Sequence, residues 1–183
     1  MAFYRRHLPH IHLLDHPTFV TFRLHGSLPA GMVPANTAFE VADAILDKTV
    51  SGPHWLRQPE IASIVVDAID FSAQELRGFH SHAFVVMSNH VHLLLTPRIP
   101  LIHALHSLKS FTAHRANLVL QRTGPFWQQE SFDHVVRSDK EFQKITNYIH
   151  HNPVQAGMVS VPEDFPWSSA WAGRRPTPLI AAP

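Results

Sequence analysis

Two stretches of this sequence carry side chains that could do chemistry together. His90 and His92 stand two apart in the run Phe84-Val85-Val86-Met87-Ser88-Asn89-His90-Val91-His92-Leu93-Leu94-Leu95. Residues two apart on a strand project from one face, so both imidazoles point the same way. Downstream, Lys144, Tyr148, His151 and Asn152 recur at spacings of three and four, which gathers a phenol, an amide and an amine on one side of a helix. If that side packs against the strand, two imidazoles and an amide oxygen surround a divalent ion with a tyrosine hydroxyl next to it. A phosphodiester under attack needs its oxygens polarised by a Lewis acid and its nucleophile held in line. A tyrosine would form the covalent link, and a phenol of pKa near ~10 leaves more readily than a sugar hydroxyl, so the step can reverse. Taken singly, each group has an ordinary reading: packed or solvent-facing histidines, a core tyrosine with a bonded hydroxyl, and an Asn152 that merely ends a helix before Pro153. The combination is what points to a site.

The positioning elements follow from periodicity and turn residues. Thr18-Phe19-Val20-Thr21-Phe22-Arg23-Leu24 reads as a first strand closed by His25-Gly26-Ser27-Leu28-Pro29. Helical spacing predicts a first helix from about Pro34 to Val50, stopped at Ser51-Gly52-Pro53, and a second from about Pro59 to Leu76. The histidines then sit in a hairpin from about Ser81 to Thr96, closed by Pro97, followed by a long helix from about Leu101 to Gln121. Pro125 to Arg137 reads as a loop running into a fourth short strand. Ser138-Asp139-Lys140-Glu141 fits a capping box that opens the tyrosine helix, with Pro153 as its bound. The order β-α-α-β-β-α-β-α predicts an α+β fold, a ferredoxin-like antiparallel sheet with helices packed on one face. Residues 1–173 are expected to form one domain and 174–183 a flexible tail.

Composition narrows the function. With 183 residues, 45% hydrophobic and 16% charged, the chain can bury a real core. Without cysteine it has no disulfides, thiolate zinc sites or cysteine nucleophiles, so any metal must rest on His, carboxylate or amide ligands. No apolar run spans a bilayer, and the start Met1-Ala2-Phe3-Tyr4-Arg5-Arg6-His7 lacks a signal-peptide core. A cytoplasmic protein, nucleoid-associated when bound to DNA, is expected. A net charge of +1 excludes a polycation, so nucleic-acid contacts must be local. Of the 16 histidines most are scattered; His7, His10, His12 and His16 have the look of a metal tract, against which stands the reading as a solvated arm in reach of DNA.

Met87-Ser88-Asn89-His90-Val91-His92-Leu93-Leu94 resembles the His-hydrophobic-His motif of the HUH single-tyrosine transposases, and Tyr148-Ile149-His150-His151-Asn152-Pro153 through Val159 resembles their tyrosine helix. More narrowly, Phe19-Val20-Thr21-Phe22-Arg23-Leu24, Ser107-Leu108-Lys109-Ser110-Phe111-Thr112, Pro125-Phe126-Trp127-Gln128-Gln129-Glu130-Ser131-Phe132-Asp133-His134 and Pro166-Trp167-Ser168-Ser169 are similar to the REP-associated tyrosine transposases, in order along nearly the whole chain. The resemblance implies that His90, His92 and Asn152 bind Mg²⁺ or Mn²⁺; His151, on the same side of the helix by its spacing, competes with Asn152 as third ligand, and Asn152 is the one that matches the family position. It implies that Tyr148 attacks single-stranded DNA to leave a 5′-phosphotyrosine and a free 3′-hydroxyl. The partner would be a hairpin formed by a short palindromic repeat with guide bases beside it. The REP-associated branch resembles a monomer, although single-tyrosine relatives include dimers. Mg²⁺ prefers oxygen ligands, so a two-histidine site should hold it weakly unless a DNA phosphate completes the shell.

For DNA contacts, Lys109, Ser110 and Arg115 are expected to hold phosphates. Arg5, Arg6 and Arg23 are expected to frame guide bases, and Trp127 with Phe126 either stacks on unpaired bases or belongs to the core. Two other readings use the same residues: a catalytically silent DNA-binding protein that recognises structured repeats, and a metal-dependent hydrolase using water in place of Tyr148.

Overall fold

A computed structural model describes residues 14–28 and 52–173 in full and the backbone of residues 2–5 and 9–12. The helix expected from about Pro34 to Val50, the tail from 174 and Arg6 lie outside the described residues, as does the side chain of Arg5. Strands β1 (Ala2–Arg5) and β2 (Pro9–His12) form a separate antiparallel pair. Then come β3 (Thr18–Arg23), α1 (Pro59–Gln74), the hairpin of β4 (Phe79–Val86) and β5 (His90–Pro97), α2 (Leu101–Val119), β6 (Phe132–Val135) and α3 (Asp139–Gln155). The main sheet is antiparallel, in the order β4-β5-β3-β6.

Helices cover both faces of this sheet, not the single face expected. Val20, Phe22, Phe84, Val86, Val91, Leu93 and Leu95 are buried against Ile61, Val65 and Ile69 of α1 and Leu101, Leu105 and Leu108 of α2. The alternate residues Phe19, Ala83, Val85 and Leu94 are buried with Ile145 and Ile149 of α3. The reason is visible in the hairpin: Ala83 to Met87 and Leu93 to Leu95 are continuous apolar runs without polar alternation, which a sheet tolerates only when both faces are covered.

The helix ends follow local chemistry. Pro59 sits in the first turn of α1, where its missing N–H is no loss. Ser138 caps α3 by accepting from the Glu141 N–H at 3.2 Å. Glu141 reaches back one residue beyond the expected partner: Oε2 accepts from the Arg137 N–H at 2.7 Å, and Oε1 takes the His134 ring at 2.8 Å. This ties β6 to the start of α3. Pro153 does not bound the helix. It lies inside the last turn, two residues before the end, and Met158 N–H bonds its carbonyl at 2.9 Å. A proline there forfeits one late hydrogen bond and the chain closes over it.

Ser138→Ala should lower stability by about 1 kcal/mol in denaturant unfolding. The Arg137 N–H, followed by His134, holds the Glu141 carboxylate below its ordinary value of 4.5. A depressed carboxylate stabilises the fold above its unfolded pKa and ceases to as pH falls through the folded value. The stability difference between the wild type and Glu141→Gln should therefore be complete at pH 7 and shrink once pH drops below 4.5.

The C-terminal segment adds to the sheet. The Trp167 carbonyl accepts from Val86 N–H at 2.8 Å, Ser169 N–H donates to the Phe84 carbonyl at 2.9 Å, and the Ser169 hydroxyl accepts from Phe84 N–H at 2.9 Å. The outer edge of β4 is thereby paired along its last residues.

Candidate active site

His90 opens β5 and His92 follows two residues on, both with 0% exposure. Register places Arg23 opposite His90 and Thr21 opposite His92, so these four leave the same face of the sheet. The imidazole rings lie 4.6 Å apart between centroids, and their Nε2 atoms approach to 3.0 Å. Each Nδ1 has a partner on the far side: Asn89 Oδ1 at 2.7 Å from His90, and Thr21 Oγ1 at 2.8 Å from His92. Burial pushes the His92 pKa down to about 3, so this ring is neutral and able to ligate at physiological pH.

The α3 helix reaches this face through its apolar stripe. Ile145 and Ile149 anchor it in the core, which leaves Tyr148 half-buried beside His92. The Tyr148 ring meets His92 edge-on at 5.6 Å and Phe19 at 6.4 Å. Phe19 in turn stacks on His92 at 5.5 Å and so backs both rings. One turn past the tyrosine, Asn152 is 1% exposed, and neither its Oδ1 nor its Nδ2 has a hydrogen-bond partner among the described residues. An orphaned buried amide is costly, and such groups usually mark a ligand or ion. His151 is exposed and donates to the Asn147 carbonyl of its own helix at 2.9 Å. Lys144 is likewise exposed.

Two ligands at right angles, each about 2.1 Å from one ion, lie about 3.0 Å apart. The Nε2 separation of 3.0 Å matches that spacing. Among the described residues no cluster of three or more His, Cys, Asp or Glu side chains is placed to hold a metal, so a neutral oxygen would have to complete the set. An amide oxygen, water or phosphate suits a hard divalent cation. The residues present therefore fit a divalent ion.

The expected DNA contacts divide. Arg23 is half-buried beside the histidine pair, with Nη1 donating to Ser27 Oγ at 3.3 Å. Ser110 and Arg115 are exposed on α2, which covers the opposite face of the sheet. The Lys109 ammonium is committed elsewhere: it donates to the Gln128 carbonyl at 2.8 Å, the Gln129 carbonyl at 3.1 Å and Ser131 Oγ at 3.1 Å. Burial there draws its pKa down to about 8. Lysine is a strong donor, and a loop that turns carbonyls inward offers better partners than solvent. Trp127 is a core residue, 7% exposed, with Nε1 donating to Thr112 Oγ1 at 2.9 Å and its ring packed on Phe22. Phe126 is buried against Trp55. Base stacking by these two aromatics is thus replaced by packing.

Lys109→Met should release the loop over residues 128–131, with faster amide hydrogen exchange there and a stability loss of about 1–3 kcal/mol from the missing charged hydrogen bonds.

Thr21, Asn89 and Phe19 were not singled out from the sequence as parts of this site. Asn89 adjoins the histidines, but its role depends on side-chain direction. Thr21 becomes legible only once the β3–β5 register is known.

A family profile described as "Transposase IS200 like" matches residues 60–152, a stretch that includes His90, His92, Tyr148 and Asn152. A REP-associated tyrosine transposase of Escherichia coli is 28% identical over 98 residues, covering 51% of this chain and 55% of that protein. A Haemophilus influenzae protein provisionally assigned to the same group is 29% identical over 105 residues, covering 50% of this chain and 58% of its own length. The matched stretch thus spans a little over half of each of these relatives. A solved structure of a REP-associated tyrosine transposase bound to a REP hairpin superposes with a TM-score of 0.60 at 19% identity, covering 95% of this chain and 93% of that one. The antiparallel sheet and its packed helices are therefore a shared α+β fold.

Proposed function

This chain belongs to the IS200-like transposase family, and we propose that it is a metal-dependent endonuclease and strand transferase acting on single-stranded DNA at hairpin-forming palindromic repeats. The observation that carries this reading is the meeting of the histidine pair with the tyrosine helix: His90 and His92 Nε2 atoms 3.0 Å apart, the Tyr148 ring 5.6 Å from His92, and one turn on the buried Asn152 amide, which has no hydrogen-bond partner among the described residues. In this reading His90, His92 and Asn152 hold Mg²⁺ or Mn²⁺, and the ion supplies Lewis-acid polarisation of the scissile phosphate.

The chain's own residues do the rest. Tyr148 Oη attacks phosphorus, a P–O bond to tyrosine forms, and the P–O3′ bond breaks to leave a 5′-phosphotyrosine and a 3′-hydroxyl. Packing of the Tyr148 ring against Phe19 and His92 fixes the line of approach. Return attack by a 3′-hydroxyl expels the phenol and reseals the strand. Arg23, opposite His90 in the register, would meet a backbone phosphate of the bound strand. Ser110 and Arg115 lie a layer away and suit the flanking duplex of a hairpin. Arg5 and Arg6 remain the proposed contacts to guide bases. Since both halves of the site come from one chain, a monomer suffices.

The test is incubation of purified protein with Mn²⁺ and a 5′-labelled or 3′-labelled hairpin oligonucleotide carrying flanking single strands. A protein–DNA adduct that survives a denaturing gel and retains only the 3′ label is expected. Cleavage without an adduct would transfer the reaction to water, and binding without cleavage under either metal would reduce the protein to a repeat-binding module.

A further inference from the structure

The two histidines have partners of different kinds, and the difference has a chemical consequence. Asn89 Oδ1 can only accept, so at 2.7 Å it fixes the proton of His90 on Nδ1 and leaves Nε2 bare. That bare nitrogen faces His92 Nε2 at 3.0 Å. With no cation present, two bare nitrogens would repel at this distance, so His92 must carry its proton on Nε2 and donate it to His90. His92 Nδ1 is then an acceptor, and the Thr21 hydroxyl at 2.8 Å donates to it. With a cation between the rings both Nε2 atoms must be bare, and the His92 proton belongs on Nδ1. Thr21 Oγ1 must then accept.

We propose that Thr21 is a two-way positioning residue: its hydroxyl rotates from donor to acceptor as His92 changes tautomer on ion binding, while Asn89 locks His90 permanently in the ligating tautomer. The inference rests on the reading of the histidine pair as a cation site. Protons balance: one leaves His92 Nε2 to water as the ion arrives, water returns one to Nδ1, and the ring is neutral before and after. A hydroxyl is suited to this because it can donate or accept in the same place. All four residues are buried, at 8% exposure for Thr21 and 0% for the others, so the Thr21 hydroxyl is the standing partner of His92 Nδ1 while water enters only with the ion.

The experiment is two-bond ¹H–¹⁵N spectroscopy of histidine-labelled full chain, first metal-free and then with Zn²⁺ as a diamagnetic probe that imidazole binds well. His90 is expected protonated on Nδ1 throughout, and His92 on Nε2 when metal-free and on Nδ1 with Zn²⁺. Thr21→Val should weaken Zn²⁺ binding by about 10-fold or more, in the range for lost outer partners of ligating histidines, and Thr21→Ser should restore it. A metal-free His92 already protonated on Nδ1 overturns the switch and leaves the metal reading standing. A wild type with the expected metal-free tautomers that binds no Zn²⁺ overturns the metal reading and the switch with it. Wild-type Zn²⁺ affinity in a folded Thr21→Val overturns the role of Thr21.

Discussion

Tyr148→Phe is expected to abolish the covalent adduct and lower strand cleavage by at least about 10³-fold, the scale at which a nucleophile's removal is felt. Binding of the hairpin should survive. The ring makes edge contacts with His92 and Phe19 that phenylalanine preserves, so the tyrosine helix should keep its seat. The measurement is a pair of gels, denaturing for the adduct and native for the complex, on one preparation. Adduct formation by the variant would move the nucleophile to another residue. Loss of binding together with cleavage would mean that the hydroxyl holds the fold or the DNA, not only the reaction.

Substituting Asn152 should separate stability from activity. Asn152→Leu replaces a buried amide with no hydrogen-bond partner among the described residues by an apolar group of similar size. An unsatisfied buried polar group costs about 1–3 kcal/mol, so in the presence of a chelator the variant should be more stable than the wild type by that order. With Mn²⁺ the order should reverse or close, because the wild type, with all three ligands, gains more stability from binding than a variant left with the histidine pair. Cleavage should fall by no less than about 100-fold, the upper end of what even an outer-shell partner costs. Thermal melts with chelator and with Mn²⁺ provide the comparison. A variant less stable than wild type in chelator would show that the amide is already satisfied, and Asn152 would then leave the ligand set.

The sequence was informative where one residue's type decides one local outcome. β3, the hairpin, α1, α2 and α3 lie within a few residues of where their apolar periodicity and end signals place them, and Ser138 caps α3 as its spacing with Glu141 predicts. His90, His92 and Tyr148 do gather, because strand and helix spacing each commit a face. Whatever depended on pairing between distant elements was harder to read. Coverage of both sheet faces is implicit in Leu93-Leu94-Leu95, yet the order of elements alone does not say which face each helix takes. The basic character of Lys109 suggested phosphate, yet the neighbouring loop turns the Gln128 and Gln129 carbonyls toward it. Trp127 looked available until Thr112 and Phe22 were placed around it. Thr21 carries no signal until the strand register sets it against His92.

The short pairing of Trp167 and Ser169 with β4 has a consequence for solubility. An uncovered strand edge is a template for another chain, and β4 ends in Phe84-Val85-Val86 and leads into Met87, a run apolar enough to seed aggregation. By occupying the Phe84 and Val86 ladder positions, the C-terminal segment acts as a built-in blocking strand. The Ser169 hydroxyl also meets His150 at 3.0 Å, two residues past the tyrosine, so the same clasp steadies the helix that carries Tyr148. A chain cut short of Pro166 would therefore lose protection against self-association and one of the supports of its reactive helix together.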